Sequence, residues 1–229
     1  MTLKTMESKT IEKKEPEWLL DRRHAAYELF KQKPMPNFVY GLNINLDINL
    51  DLDKIKTDNL GKPIRKIINK NNNVKILEFN EALKETMLKE KFMSCVKAED
   101  KFTLFHQAFV NNLLLVYVPK NTKVKEPIEL VTKVNSKILF DHLIIIAGDN
   151  SKLTLVENIG PENNEEAYVS KIVEIFVGEN AKVDYGNLQM LNKKTFNFTK
   201  KRALTGKDSL INWLDCCFGS NVTLSEVTT

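Results

Sequence analysis

Residues 178–189 read GENAKVDYGNLQ, and the same kind of phrase returns elsewhere in the chain. Thirty residues earlier (178 − 148) stands GDNSKLTLVENI, and 28 residues later (206 − 178) stands GKDSLINWLDCC. A looser copy, PKNTKVKEPIEL, begins at Pro119, which is 29 residues before Gly148 (148 − 119). Each copy opens on a glycine or proline with an amide or acidic residue close behind, as a tight turn requires. Each then alternates apolar and polar residues, as a strand does when one face is buried. Leu153 and Leu155 therefore share a face, as do Val183 with Tyr185 and Ile211 with Trp213. Recurrence at a fixed spacing of about thirty residues is the signature of stacked coils. An ordinary sandwich or jelly roll also has many short strands, but it has no need for one turn-plus-strand phrase at a constant interval. The spacing predicts a mainly β solenoid, a parallel β-helix, over residues 113–229.

Upstream of that region the periodicity is helical. Residues 1–14 are lysine-rich with few apolar anchors and read as a flexible tail. Residues 15–112 form an N-terminal helical or α+β region. In EPEWLLDRRHAAYELFKQKPMP, Pro16 suits a first helical position, and Trp18, Leu19, Arg22, Ala26, Leu29 and Phe30 make a stripe. The predicted packing face is Trp18, Leu19 and Leu29, and Pro34 and Pro36 stop the helix. Residues 43–55 alternate apolar and acidic residues like a half-exposed strand. Their Asp47, Asp51 and Asp53 lack the glycine and closing glutamate of a calcium loop. Residues 60–73 are polar and asparagine-rich and read as a loop, while 79–96 and 100–112 read as helices with Asn80 capping the first.

Composition narrows the function. With 34 basic and 30 acidic residues the net charge is +4, and aromatic residues are 8% of the chain. Neither the cationic stripe nor the stacking platform of a nucleic-acid binder is present, so the expectation is no nucleic acid. No apolar run is long enough to cross a bilayer and the first residues are polar, so the expectation is no membrane and a cytoplasmic location. Three cysteines make no disulfide framework.

The chemistry-bearing candidates are few. Cys216 and Cys217 are soft ligands for iron or sulfur, but neighbours on a strand point to opposite faces and cannot readily share one iron. Cys95 reads as core. His142, beside Asp141 at the start of an apolar run, is the most interesting of three scattered histidines. Thr199-Lys-Lys-Arg202 reads as a solvated basic turn. Phosphate cradles, nucleophile elbows and dinucleotide fingerprints are absent, so no catalytic residue is assigned. A β-helix carbohydrate-active enzyme such as a polysaccharide lyase is the alternative, and it would need a groove of clustered charges.

Longer stretches carry a resemblance. EPEWLLDRRHAAYELFKQKPMP (15–36), DKFTLFHQAFVNNLLLVYVPKNTKVKEPIEL (100–130), HLIIIAGDNSKLTLVENIG (142–160), VEIFVGENAKVDYGNLQ (173–189) and FTKKRALTGKDSLINWLDCCFGSNVTL (198–224) occur in that order. Together they resemble the SufB/SufD family of iron–sulfur cluster assembly proteins. The resemblance implies an N-terminal helical region, a right-handed parallel β-helix and a C-terminal helical domain. It further implies a non-catalytic scaffold of the SUF system that works with the ATPase SufC and a second SufB/SufD-type chain, in a complex that holds an iron–sulfur cluster transiently. Two departures stand out. Thr205 occupies the place where SufB-type members carry a cysteine after a triplet like Arg-Ala-Leu, and a hydroxyl cannot take up sulfur as a thiolate would, so the chain looks closer to SufD or to a SufB paralogue. The sequence also ends at NVTLSEVTT, mid-pattern, which implies a β-helix truncated at its C-terminal end or covered there by a partner.

Overall fold

The computed structural model describes residues 15–40, 44–46, 50–58 and 60–229. The predicted tail over 1–14, and Asp47 within the predicted strand over 43–55, lie outside the described residues. Two compact units emerge. One consists of the described residues up to Asp58 with Lys97–Phe109, the other of Leu60–Val96 with Val110–Thr229.

In the first unit, helix α1 (Glu17–Gln32) starts directly after Pro16, whose fixed extended conformation suits the cap position. Leu19, Arg23, Ala26 and Phe30 form its buried stripe. Leu29 is 47% exposed, so the expected packing face is rotated by about one residue. Arg23 can be buried because Glu15 receives its Nε at 2.9 Å and the Ala108 carbonyl receives its Nη1 at 2.9 Å. The strands β1 (Phe38–Tyr40) and β2 (Ile44–Leu46) pair antiparallel. Among the described residues of the predicted strand that follow β2, Leu52–Lys54 form a single 3₁₀ turn, capped by the Asp51 side chain. Asp53 is engaged by Lys101 Nζ at 2.8 Å, so it serves an ion pair.

The second unit is a parallel β-solenoid of about four turns, in agreement with the spacing argument. Its leading elements are β3 (Ile64–Ile68), β4 (Lys75–Glu78), α2 (Phe79–Ala82) and α3 (Thr86–Lys91). Helix α4 (Lys101–Phe109) belongs to the first unit. The coils follow as β5 (Asn112–Val118), β6 (Ile128–Val134), β7 (Ile138–Ala147), β8 (Lys152–Pro161), β9 (Ala167–Val177), β10 (Lys182–Leu191), β11 (Thr195–Thr205), β12 (Leu210–Gly219) and β13 (Val222–Thr228). Successive strands alternate between two sheets. Sheet I has the order β12-β10-β8-β6-β3 and sheet II the order β13-β11-β9-β7-β5-β4. Within the coils every pairing is parallel, and β3 and β4 close the N-terminal edges antiparallel.

The register reproduces the sequence period. Val183 lies beside Leu153, 30 residues before (183 − 153), and beside Ile211, 28 after (211 − 183). Leu153, Leu155, Val183 and Tyr185 face Val173, Ile175 and Val177 in one continuous core, and Ile211 and Trp213 pack against it. The turns stack as closely as the strands. Asn121, Asn150, Asn180 and Asp208 all have positive φ, between 53° and 61°, a conformation that asparagine and aspartate tolerate better than most residues. The Asn150 amide donates to Asn121 at 3.1 Å, and Asn180 donates to Asn150 at 2.8 Å. Glycine opens the turns at Asn150, Asn180 and Asp208 for want of space. A Cβ on Gly178 would come within 2.6 Å of Asp149 Oδ1 and 2.8 Å of its backbone nitrogen.

Three local expectations are corrected. Residues 64–68, read as loop, form a strand because Ile64–Ile68 find a ready partner edge in β6. The single helix expected over 79–96 breaks into α2 and α3, then leaves helical form at Phe92, with Met93 at φ 53°. Asn80 lies inside α2, and Glu78 occupies the cap position. Residues 199–202 belong to the long strand β11 and form no solvated turn. Replacing Gly178 with alanine is expected to destabilise the protein by about 1–3 kcal/mol through overpacking, read as a lowered urea midpoint with an unchanged m-value.

Candidate functional site

Strand alternation turns one side chain in two toward the solenoid interior, and several of those side chains are charged. In sheet II, register places Asn112, Asp141, Lys171, Thr199 and Ser225 in one column. In sheet I the facing column is Leu130, Glu157, Asn187 and Asp215. Lys171 Nζ bridges the two sheets, donating to Asp141 Oδ2 and to Glu157 Oε1, each at 2.6 Å. Arg65 donates to the other Asp141 oxygen at 2.6 Å, and Tyr185 Oη donates to Glu157 Oε2 at 2.8 Å. One coil further along, Lys201 Nζ donates to Asp215 Oδ1 at 2.8 Å, while Ser225 donates to Oδ2 at 2.8 Å. A seam of alternating charge thus threads the solenoid between its two sheets.

The electrostatics follow from this pairing. Burial opposes the charge on Asp141, but Arg65 and Lys171 outweigh it and hold the carboxyl well below the ordinary range. Burial, with the Glu157 carboxylate beside it, pushes the Tyr185 phenol well up. Asp215 is also partly desolvated, yet Lys201, Ser225 and Asn187 bring its value down. Asp141, Glu157 and Lys171 keep only 2%, 1% and 3% of their side-chain surface. An isolated charge there would be prohibitive, so the members of the seam depend on one another.

On the outer side of sheet II lies a second polar centre. The Glu174 carboxyl group accepts from the backbone N–H of Met93 at 2.7 Å, Cys95 at 2.7 Å and Val96 at 2.8 Å. His142 Nε2 lies 3.0 Å from its Oε2, and the Phe92 ring lies tilted by 36° against the imidazole with centroids 5.0 Å apart. Glu174 thereby satisfies three main-chain donors of a segment that has left its helix. Burial, with Glu174 nearby, pushes the Cys95 thiol up to about 12, so the thiol stays protonated and inert at neutral pH.

The predicted candidates fall on three different surfaces. His142 sits in the Glu174 centre. Cys216 lies beside Leu188 on the outer face of sheet I. Cys217 lies beside Gln189 on the inner row, near the Asp215–Lys201–Ser225 end of the seam. Its thiol is raised by burial and by Asp215, and Lys201 partly offsets this. The two cysteines turn away from each other, as adjacent strand residues must. Among the described residues no group of three or more histidine, cysteine or acidic side chains converges to hold a metal ion. Of the acidic and basic residues on the coils, Asp141, Glu157, Lys171 and Lys201 are turned inward. Lys201, expected in a solvated turn, keeps 1% of its side-chain surface, because its place in β11 points it at Asp215. The seam itself was not anticipated. Its signal lay in the alternation, since the parity that sends Leu153 and Leu155 inward also sends Glu157 inward.

Two outcomes follow for the seam. Replacing Lys171 with methionine leaves Asp141 and Glu157 without their shared cation, and the expected loss is about 3–5 kcal/mol in chemical denaturation. Because the folded Asp141 value is depressed, its contribution is complete above the unfolded carboxylate value, about 4. It is lost as pH falls below that value toward the folded one. Acid titration of stability should therefore fall more steeply below about pH 4 in the parent protein than in Asp141→Asn, measured by denaturant midpoints.

Comparison with known proteins bears on this arrangement. Residues 130–229 match the family model described as SUF system FeS cluster assembly, SufBD core domain. The iron–sulfur cluster assembly protein SufD of Bacillus subtilis is 38% identical over 135 residues, which cover 57% of this chain and 31% of that protein. A SufBD family protein of Staphylococcus haemolyticus is 27% identical over 260 residues, covering 93% of this chain and 55% of its own length. One from Staphylococcus aureus strain USA300 is 26% identical over the same shares. The chain spans from about a third to about half the length of these relatives.

Proposed function

We propose that this chain, which carries a SufBD core domain over residues 130–229, acts as a non-catalytic scaffold in SUF-type iron–sulfur cluster assembly. The observation that carries the reading is the coincidence of that match with the solenoid, since residue 130 falls in β6 and the match runs to the last strand. Similarity to a staphylococcal SufBD family protein along 93% of the chain supports it. In this reading the chain pairs with a second SufB/SufD-type chain and works with a SufC-type ATPase in the cytoplasm, and the iron–sulfur cluster is cargo.

The arrangement of ligands suits a scaffold that shares its cargo. Cys95 is buried and protonated, and Cys216 and Cys217 face away from each other. An iron–sulfur cluster needs several converging thiolates or imidazoles. This chain offers single ligands at separate places, so the remaining ligands come from the partner. The buried charges act on the fold: they fix which residues meet between the sheets and leave the outer faces to protein contacts.

The test is co-expression with a SufC-type ATPase and a SufB-type chain, followed by affinity purification. The expected result is a stable complex containing all three, and a chain that purifies without either would overturn the reading. Anaerobic reconstitution with ferrous iron and sulfide provides a second measurement. The chain alone should show little visible iron–sulfur absorbance, and the complex should show more, with a part of it lost on replacing Cys217 with serine.

A further inference from the structure

We infer that the free edge of β3 is a docking site for an extended acidic segment of a partner protein, which joins sheet I as an additional strand. β3 is the end strand of sheet I, and among the described residues it pairs only with β6. In such a strand about half of the main-chain N–H and C=O groups point away from the neighbour it has, ready for a second one. The core beneath is also unfinished at this edge. Ile67 turns inward and packs against the core cluster, yet it stays only partly buried. Ile64, on the outer face beside Lys133, is 52% exposed. Apolar surface left open on both faces of one strand edge calls for a chain alongside it.

The charge around the edge says what kind of chain. Between Leu60 and Leu77 the sequence carries Lys62, Arg65, Lys66, Lys70 and Lys75 and no acidic residue. Arg65 is engaged inside by Asp141, and Lys75 lies 3.5 Å from Glu85. Lys62, Lys66 and Lys70 are exposed and form no ion pair among the described residues, and the same holds for Lys133, across from Ile64 on β6. Glu129, opposite Ile68, is the only acidic residue of β6, and Asn158 donates to it. A strand edge set with unpaired lysines repels a second copy of itself. It attracts a strand that brings carboxylates.

Register then specifies the sequence of that strand. Ile64, Lys66 and Ile68 form the outer row of β3, since their partners Lys133, Val131 and Glu129 alternate with the buried residues of β6. The incoming segment sets an acidic residue beside Lys66, between two apolar ones at alternate positions beside Ile64 and Ile68. Its inward position beside Ile67 is apolar and extends the core. Further acids reach Lys62 and Lys70, which flank the strand at its two ends. Main-chain hydrogen bonds supply the affinity of such an added strand, and the cross-strand side-chain pairs supply its specificity.

The test uses the purified full chain and a peptide, with no ATPase or second type of chain, so it fails or succeeds independently of the scaffold role. The probe is the fluorescently labelled peptide ETVTEVVTE, titrated at low ionic strength and followed by anisotropy. The expected result is saturable binding that weakens as salt is added, with no binding of the lysine counterpart KTVTKVVTK. Lys66→Glu, a change at an exposed and unpaired side chain, should keep the melting temperature, weaken ETVTEVVTE by at least about tenfold and admit KTVTKVVTK. N-methylation of alternate peptide amides should abolish binding in one of the two frames and spare it in the other, as strand pairing requires. Absence of binding overturns the proposal, as does unchanged affinity in Lys66→Glu or equal binding by the two N-methylated frames. Tighter binding of a single-stranded oligodeoxynucleotide at the same lysines overturns it too, since the patch would then be a nucleic-acid surface.

Discussion

Coil length is the constraint on which this structure depends. Each turn of the solenoid takes up 28 to 30 residues where its turns align, as Gly148, Gly178 and Gly206 show (178 − 148 = 30; 206 − 178 = 28). Every later feature inherits that length. It stacks Leu153, Val183 and Ile211, it builds the asparagine ladder, and it brings Lys171 opposite Glu157. Changing one coil by a single residue within a strand would exchange inner and outer faces. Apolar groups would then enter water, and ion-paired groups would leave their partners.

The interior charges sharpen that constraint. An all-apolar core tolerates small slips, because one aliphatic contact resembles another. The seam of Arg65, Asp141, Lys171, Glu157 and Tyr185 does not, since each group is satisfied at one position only. Buried ion pairs add little net stability relative to apolar replacements, but breaking one is costly. Each of these pairs is satisfied only when the two sheets, which share no strand, meet in the register seen here.

Much of this was legible in the sequence. The solenoid followed from the spacing of Gly148, Gly178 and Gly206 and from the alternation after each. The presence of a tight turn at each glycine was legible too, although the positive φ falls on Asn150, Asn180 and Asp208 and not on the glycines, and the divergence of Cys216 and Cys217 followed from strand geometry alone. What escaped notice depended on contacts distant in sequence. Arg65 is 76 residues from Asp141, and Glu174 is 81 from Met93, so no local pattern announces either pair. Residues 64–68 read as loop because the edge that converts them to a strand lies in β6. Lys201 looked solvated because its neighbours Lys200 and Arg202 are also basic, although alternation sends the middle one inward.

The Glu174 centre has an evolutionary consequence. Its carboxyl group recognises main-chain N–H groups of Met93, Cys95 and Val96, and makes no demand on what those residues carry beyond Cα. Loss of the Glu174 carboxyl group would therefore strand three main-chain donors at once, whereas Met93, Cys95 and Val96 are constrained by their own burial and, at Met93, by a positive φ. Relatives that preserved the clasp would keep a glutamate in the middle of a valine- and isoleucine-rich strand, facing a short buried segment whose side chains could change only as far as close packing allows.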